Sequence, residues 1–420
     1  MRVAGLRNAE AANDRLPGMT HDFLYPSGSR KQAWRSTDRG SRFDKLVWVS
    51  GQSDKDKTGN IRNPGRAEAQ IDAVMRQINA AVEHLGARAT DVVKLVVFHT
   101  VGEGERETEL LRHLRKCFAG DVPPAISLIS APHLADPGAV VTIKAIAVDN
   151  SDGSASRFPS DVRFDGDASG LFSQAVRCGE FVFVSAQSAK DKSGRIVHTD
   201  DIVAQAKITV ENIARVLESV GCDLDDVVKL NTWYVGYGTD ADWRRAAEVR
   251  SNAFRFPGPG ATGVPVPNRY PDGALIRQEC LALRGTNGDR LPRMLSWPLG
   301  HWDWPIRVSF QQGIRVGRFI ILGGQYSMDE KGLAVAPDDM AAQTEITLEF
   351  IRRILAGFGA RMEDLVEVTA FYKSSSIAHG TPLAPKSFGP QRPAVTEIPL
   401  ATLGLERVTL EVEGFAMVDD

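Results

Sequence analysis

An α+β fold built three times over is what this 420-residue sequence predicts. Two observations carry that expectation: a signature that recurs at a fixed offset, and a shared order of strand-like and helix-like apolar patterns around it. The segments LVWVSGQSDKDKTGNI (46–61), FVFVSAQSAKDKSGRI (181–196) and FIILGGQYSMDEKGLA (319–334) each run from an apolar β stretch, through a small-small-Gln step, into a polar turn with a late Gly. Gln52, Gln187 and Gln325 mark the same place in each copy. They are 135 and 138 residues apart, and Asp91, Asp226 and Asp364 repeat those two intervals.

After the signature, each copy carries apolar residues at helical spacing over 71–87, 202–221 and 340–359, closing at a Gly suited to a left-handed C-cap. A β-rich run follows at 91–100, 226–235 and 364–373. The first two copies then show a second helix, TELLRHLRKCF (108–118) and ADWRRAAEVRSNAF (241–254). In the third copy the matching span 374–389 is rich in Ser, Pro and Gly and reads as a loop. Two strand-like runs close each copy, RPAVTEIPL (392–400) and RVTLEVEGFAMV (407–418) in the third. The order β-β-α-β-α-β-β implies a mixed sheet with helices on one face. Polar, turn-prone linkers at 150–161 and 285–294 divide the chain into domains at 20–150, 160–285 and 295–420.

Fifty basic and 53 acidic residues leave a net charge of -3, which gives no global field for nucleic acid or an anionic membrane. The four cysteines are scattered, without a C-x-x-C pair, so neither a zinc site nor a disulfide framework is expected. The first 18 residues have no apolar h-region and no apolar run is long enough to span a bilayer. These features predict a soluble cytoplasmic protein with no metal or cofactor and no nucleic-acid or membrane partner.

The strand-SGQ-turn signature, the Gln-bearing helix, the DVVK strand and the closing P-x-R and E-x-E strands resemble the RidA/YjgF enamine/imine deaminase family over essentially the whole of each repeat. The resemblance implies a chorismate-mutase-like fold. The three copies would form an intrachain pseudo-trimer with a ligand cleft at each domain interface, a pseudo-trimeric monomer whose further dimerisation stays open. In that family an Arg opening the penultimate strand clamps a substrate carboxylate, because a guanidinium offers two parallel N–H donors and never deprotonates. A Glu on the last strand handles the attacking water. In the third copy these roles fall on Arg392 and Glu413, with Glu411 as the alternative. Gly323, Gly324 and Gln325 supply the turn, and Phe310 stands where the family has a Tyr. The second copy offers Ala261 and Glu279, and the first Ile126 and Lys144. Arg392 to Glu413 spans 21 residues against 18 from Ala261 to Glu279, which reads as a lengthened hairpin. The resemblance therefore implies one site, in the third copy, acting on a small carboxylate-bearing imine or enamine and releasing ammonia.

PLGHWDWPIR (298–307) places His301, Trp302 and Trp304 either over that cleft or, more simply, in the seam between domains. GPGATG (258–263) matches a dinucleotide fingerprint in letters only, since it follows a helix. Two other functions compete: a sensor or scaffold that binds without turnover, and a three-domain ring-opening amidohydrolase. The latter needs Ser and Lys pairs. Ser50, Ser185, Lys94 and Lys229 fit that need, but the third copy has Gly323 and Glu367 there.

Overall fold

A computed structural model describes residues 34–37, 39–100, 106–118, 120, 122–155, 157–164, 170–266, 270–376, 383, 385–388 and 392–419. The N-terminal stretch read above for targeting signals, and most of 377–391, lie outside these. The chain forms three six-stranded sheets of one topology. The first contains β1 (Trp34–Thr37), β2 (Gly40–Phe43), β3 (Leu46–Gln52), β4 (Val92–Thr100), β5 (Ala125–Ala131) and β6 (Val141–Val148), ordered β1-β2-β3-β6-β4-β5. The second repeats this with β7 (Arg157–Pro159), β8 (Ala175–Cys178), β9 (Phe181–Val184), β10 (Val227–Val235), β11 (Gly260–Val266) and β12 (Ile276–Leu283). The third uses β13 (Met294–Ser296), β14 (Gly313–Val316), β15 (Phe319–Gln325), β16 (Leu365–Lys373), β17 (Ala394–Leu400) and β18 (Leu410–Met417). Each sheet has one edge strand more than the sequence pattern predicted, contributed by a short run at the start of each copy.

Only the last edge pair of each sheet is parallel. Parallel neighbours need a crossover. Helices α2 (Glu107–Arg115) and α4 (Asp240–Asn252) supply it in the first two domains, while the third crosses through the short 3-10 turns Ser374–Ser376 and Pro385–Phe388. The long helices α1 (Ala67–His84), α3 (Ile202–Glu218) and α5 (Met340–Ala356) pack on their own sheets. Gly86, Gly221 and Gly359 just beyond them take φ of 83°, 75° and 70°, the left-handed conformation expected there.

The letters that reveal the repeat hold the backbone together. Gln70, Gln205 and Gln343, buried near the helix starts, donate to loop carbonyls such as Gly138, Gly273 and Arg407. Their side-chain oxygens accept from the amides of Val140, Leu275 and Thr409 at the last strand of each sheet. Asp91, Asp226 and Asp364 accept the amides of Arg88, Asp223 and Arg361, closing the turn into the central strand.

Each domain touches both others. Trp48, Phe183 and Phe319 come from three different sheets and belong to one buried apolar cluster. Phe98, Trp233 and Phe371, at matching places on β4, β10 and β16, belong to a second. Three buried ion pairs bridge the seams: Lys94–Glu279 at 2.6 Å, Lys229–Glu413 at 2.8 Å and Lys144–Glu367 at 2.5 Å. In the first two the central strand gives the Lys; in the third it gives the Glu. No helix among the described residues is long and apolar enough to cross a membrane.

Candidate active site between the second and third domains

Sheet pairing fixes which residues are equivalent. Leu95, Leu230 and Val368 lie four residues after the repeat Asp on the central strands, and their parallel partners are Ile126, Ala261 and Val395. Val395, not Arg392, therefore occupies the place matched to Ala261 and Ile126. The interval to Lys144, Glu279 and Glu413 is then 18 residues in every domain, so no hairpin is lengthened. Arg392 is exposed and precedes β17. The carboxylate clamp assigned to it thus rested on an alignment three residues out of register, and none of the three domains carries an Arg at that strand position.

Glu413 also stands elsewhere than expected. One carboxylate oxygen meets the Lys229 ammonium and the other accepts from Asn231 Nδ2 at 3.0 Å. Burial pushes this carboxyl up, but the Lys229 and Lys144 ammoniums prevail and hold it below the usual carboxylate range. A carboxylate so committed holds the seam between the second and third domains. Lys94 is likewise taken up, by Ser127 Oγ and the Val184 carbonyl at 2.8 Å each and by Glu279. Neither it nor Lys229 is paired with the signature serines as an amidohydrolase would need.

The position two residues before the seam partner differs in every domain: Thr142, Arg277 and Glu411. It faces the residue after the repeat Gln, which is Ser53, Ser188 or Tyr326. Between the third and first domains the pair is neutral, Ser53 Oγ lying 3.0 Å from Thr142 Oγ1. Between the first and second, Arg277 reaches across to α2 and donates to both oxygens of Glu107 at 2.8 Å each. It also donates to the Leu128 carbonyl, contacts Asp272 and lies 3.7 Å from the Tyr270 ring centre. Burial would raise the Glu107 carboxyl, yet the Arg277 guanidinium holds it at about 2. That cleft is closed by its own ion pair.

Between the second and third domains no ion pair among the described residues fills the same place. Glu411 is fully buried on β18, with the Tyr326 hydroxyl and the Gly263 backbone facing its carboxyl. Gly324 is packed against it so closely that a Cβ would strike the carboxylate, which explains a Gly in the signature here. Burial, with the neighbouring Glu413 charge adding to it, raises the Glu411 carboxyl to about 8 against the pull of Tyr326 and Lys229.

Tyr326 and Gly263 also line a cavity of about 30 Å³ at this interface. Its wall is aromatic on both sides, with Tyr234 and Trp243 from the second domain and Trp304 and Phe310 from the third. The lining carries one charged residue, Arg250 on α4. It is 4 % exposed and donates to the Ala246 carbonyl at 3.1 Å and to Thr232 Oγ1 at 2.6 Å. No acidic side chain among the described residues pairs with it, and burial alone drives its guanidinium down to about 10. The indole N–H groups of Trp243 and Trp304 are buried without a protein acceptor.

Of the residues singled out from sequence, Phe310 and Trp304 line this cavity, while Glu411, with Gly324 against it, lies behind the lining Tyr326. Trp302 stands behind them, edge-on to Trp304 and Tyr326. His301 is buried away from the cavity lining. Its Nε2 donates to Gln325 Oε1 at 2.9 Å, it packs edge-on to Phe350, and burial lowers it to about 4, so it is neutral and structural. Gln325 in turn donates to Gln312 and to the Gly323 carbonyl, bracing the turn. Arg250, Tyr326 and Trp243 were not singled out from sequence.

Three sheets of this topology, with clefts between them, define a tandem α+β domain protein. The family described as Endoribonuclease L-PSP matches residues 36–149, 165–282 and 305–418, and the chain belongs to it as a three-domain RidA/YjgF protein. A RutC family protein of Pyrococcus abyssi is 36% identical over 116 residues, covering 27% of this chain and 87% of its own length. The 2-iminobutanoate/2-iminopropanoate deaminase of Homo sapiens is 28% identical over 120 residues, covering 28% and 83%. Among solved structures, a chorismatase covers 79% of this chain and 94% of its own, with a TM-score of 0.51 and 13% identity, a likeness of fold alone.

Proposed function

We propose that the chain is an imine or enamine hydrolase whose single active site is the cleft between the second and third domains, with Glu411 as the proton carrier. The observation that carries this is a buried carboxyl, raised to about 8 and therefore protonated at neutral pH, beside a cavity-lining tyrosine. The substrate class follows the imine deaminases among the relatives.

Glu411 gives its proton, through the Tyr326 hydroxyl that lines the cavity, to the imine nitrogen while water adds to the carbon. The C–O bond forms, the C=N π pair moves to nitrogen, and the carboxylate takes a proton from the attacking water. In the second half Glu411 protonates the amine, the C–N bond breaks, ammonia leaves, and the carbinol proton returns to the carboxylate as the carbonyl forms. Atoms and protons balance with no cofactor.

The test is stopped-flow decay of 2-iminopropanoate and 2-iminobutanoate generated in the cuvette. Glu411→Gln is expected to lower the enzymatic rate by about 100-fold or more. Equal rates for variant and wild type would overturn the reading. Ligand binding with no product from the wild-type chain would favour a sensor instead, a reading supported by the two clefts that lack a free acid.

A further inference from the structure

We propose that Arg250, on the crossover helix of the second domain, is the anchor for the carboxylate of a short-chain substrate, replacing a strand arginine that none of the three domains has. The proposal deepens the hydrolase reading and takes the ligand's class from it.

Five observations support it. Arg250 is almost wholly buried, lines the cavity and has no acidic partner among the described residues. Buried guanidinium groups are normally paired, because removal from water costs several kcal/mol that only an opposing charge offsets. In the neighbouring cleft the buried Arg277 has that partner, held through both oxygens of Glu107. Two of the Arg250 nitrogens are fixed by Ala246 and Thr232, so the group is held in place with its remaining donors uncommitted. The strand position that faces this cleft is Ala261, whose methyl leaves room where a strand side chain would otherwise extend. The two unpartnered indole N–H groups of Trp243 and Trp304 add neutral donors to the same lining.

The size of the cavity sets the length of the ligand. About 30 Å³ accommodates a carboxylate-sized group and little more. The aromatic walls then cover a methyl or ethyl tail. A phenyl group would have to displace Trp304 or Phe310.

Pyruvate is a stable probe of this anchor, since it carries the carboxylate and lacks the C=N bond. Calorimetric titration of the wild-type chain is expected to show pyruvate and 2-oxobutanoate binding at least about tenfold tighter than the neutral pyruvamide and than phenylpyruvate. Arg250→Met should weaken pyruvate binding by at least about tenfold with an unchanged circular dichroism spectrum. Arg250→Lys should keep part of the affinity, because charge remains while the planar fork is lost. Equal affinity for pyruvate and pyruvamide in the wild type would overturn the proposal without any variant, and so would Arg250→Met binding pyruvate as wild type does. The two readings fail separately. Pyruvate selectivity in a chain with no imine turnover removes the hydrolase and keeps the anchor, whereas turnover with unchanged KM in Arg250→Met removes the anchor and keeps the hydrolase.

Discussion

The cleft between the first and second domains and the cleft between the second and third are built on one plan and reach opposite electrostatic ends. In the first, the residue two before the seam partner is Arg277, and a carboxylate of the chain itself satisfies it from α2. In the second, that residue is Glu411, no base among the described residues pairs with it directly, and a separate arginine with no acidic partner among those residues stands on an aromatic cavity. The difference teaches that a repeat supplies scaffold by keeping residues alike and supplies chemistry where it stops doing so. Gln70, Gln205 and Gln343 perform the same stitch three times, while Thr142, Arg277 and Glu411 do three different things.

The comparison can be broken in several ways, the largest effect first. Glu411→Gln should cost about 100-fold or more in imine hydrolysis, whereas Thr142→Val in the third-to-first cleft should leave the rate within about twofold. Next, Arg277→Met takes from the half-buried Glu107 the guanidinium that holds both its oxygens, leaving the His99 ring as its neighbour, and is expected to cost about 3 kcal/mol in urea unfolding. Arg250→Met strands no carboxylate, so its cost should fall clearly below that. Equal costs would show that Arg250 has a structural partner after all.

The pH dependence follows from Glu411. Its carboxyl is raised in the folded chain, from 4.5 to about 8, so the folded state binds the proton more tightly than the unfolded state. That contribution is fully present below pH 4.5 and is lost as pH rises through about 8, a change of the order of 5 kcal/mol. Wild type should therefore lose stability across this window by more than Glu411→Gln does, as chemical denaturation at pH 5 and pH 8.5 would show. Hydrolysis should fall over the same limb above about pH 8, because the acid form is the proton donor. The smallest effect belongs to Arg392→Ala. An exposed residue outside the cleft should change stability by less than about 0.5 kcal/mol and leave the rate unchanged.

Most of the architecture was legible because it depends on local chemistry repeated at fixed intervals. The Asp turns, the Gln stitches and the Gly caps each leave a letter at a predictable place. The site was legible only where it broke the repeat. Tyr326 follows the signature Gln where the other copies have Ser53 and Ser188, and Glu411 stands opposite Thr142 and Arg277. Arg392 was misplaced because the third crossover carries no helical pattern in its sequence, which removed the nearest landmark. The constant 18-residue step from Ile126, Ala261 and Val395 to Lys144, Glu279 and Glu413 was the signal that restores the register. Arg250 left no such mark. An arginine near the end of an amphipathic helix reads as solvated until the neighbouring domain covers it, and that covering is a property of the whole chain.

One measurement bears most directly on the claim that a single interdomain cleft does the work: a crystal structure of the chain soaked with pyruvate. The account predicts one molecule per chain, its carboxylate against Arg250 and its keto carbon toward Tyr326 and Glu411. Density against Arg392, or in the cleft closed by Arg277 and Glu107, would contradict it.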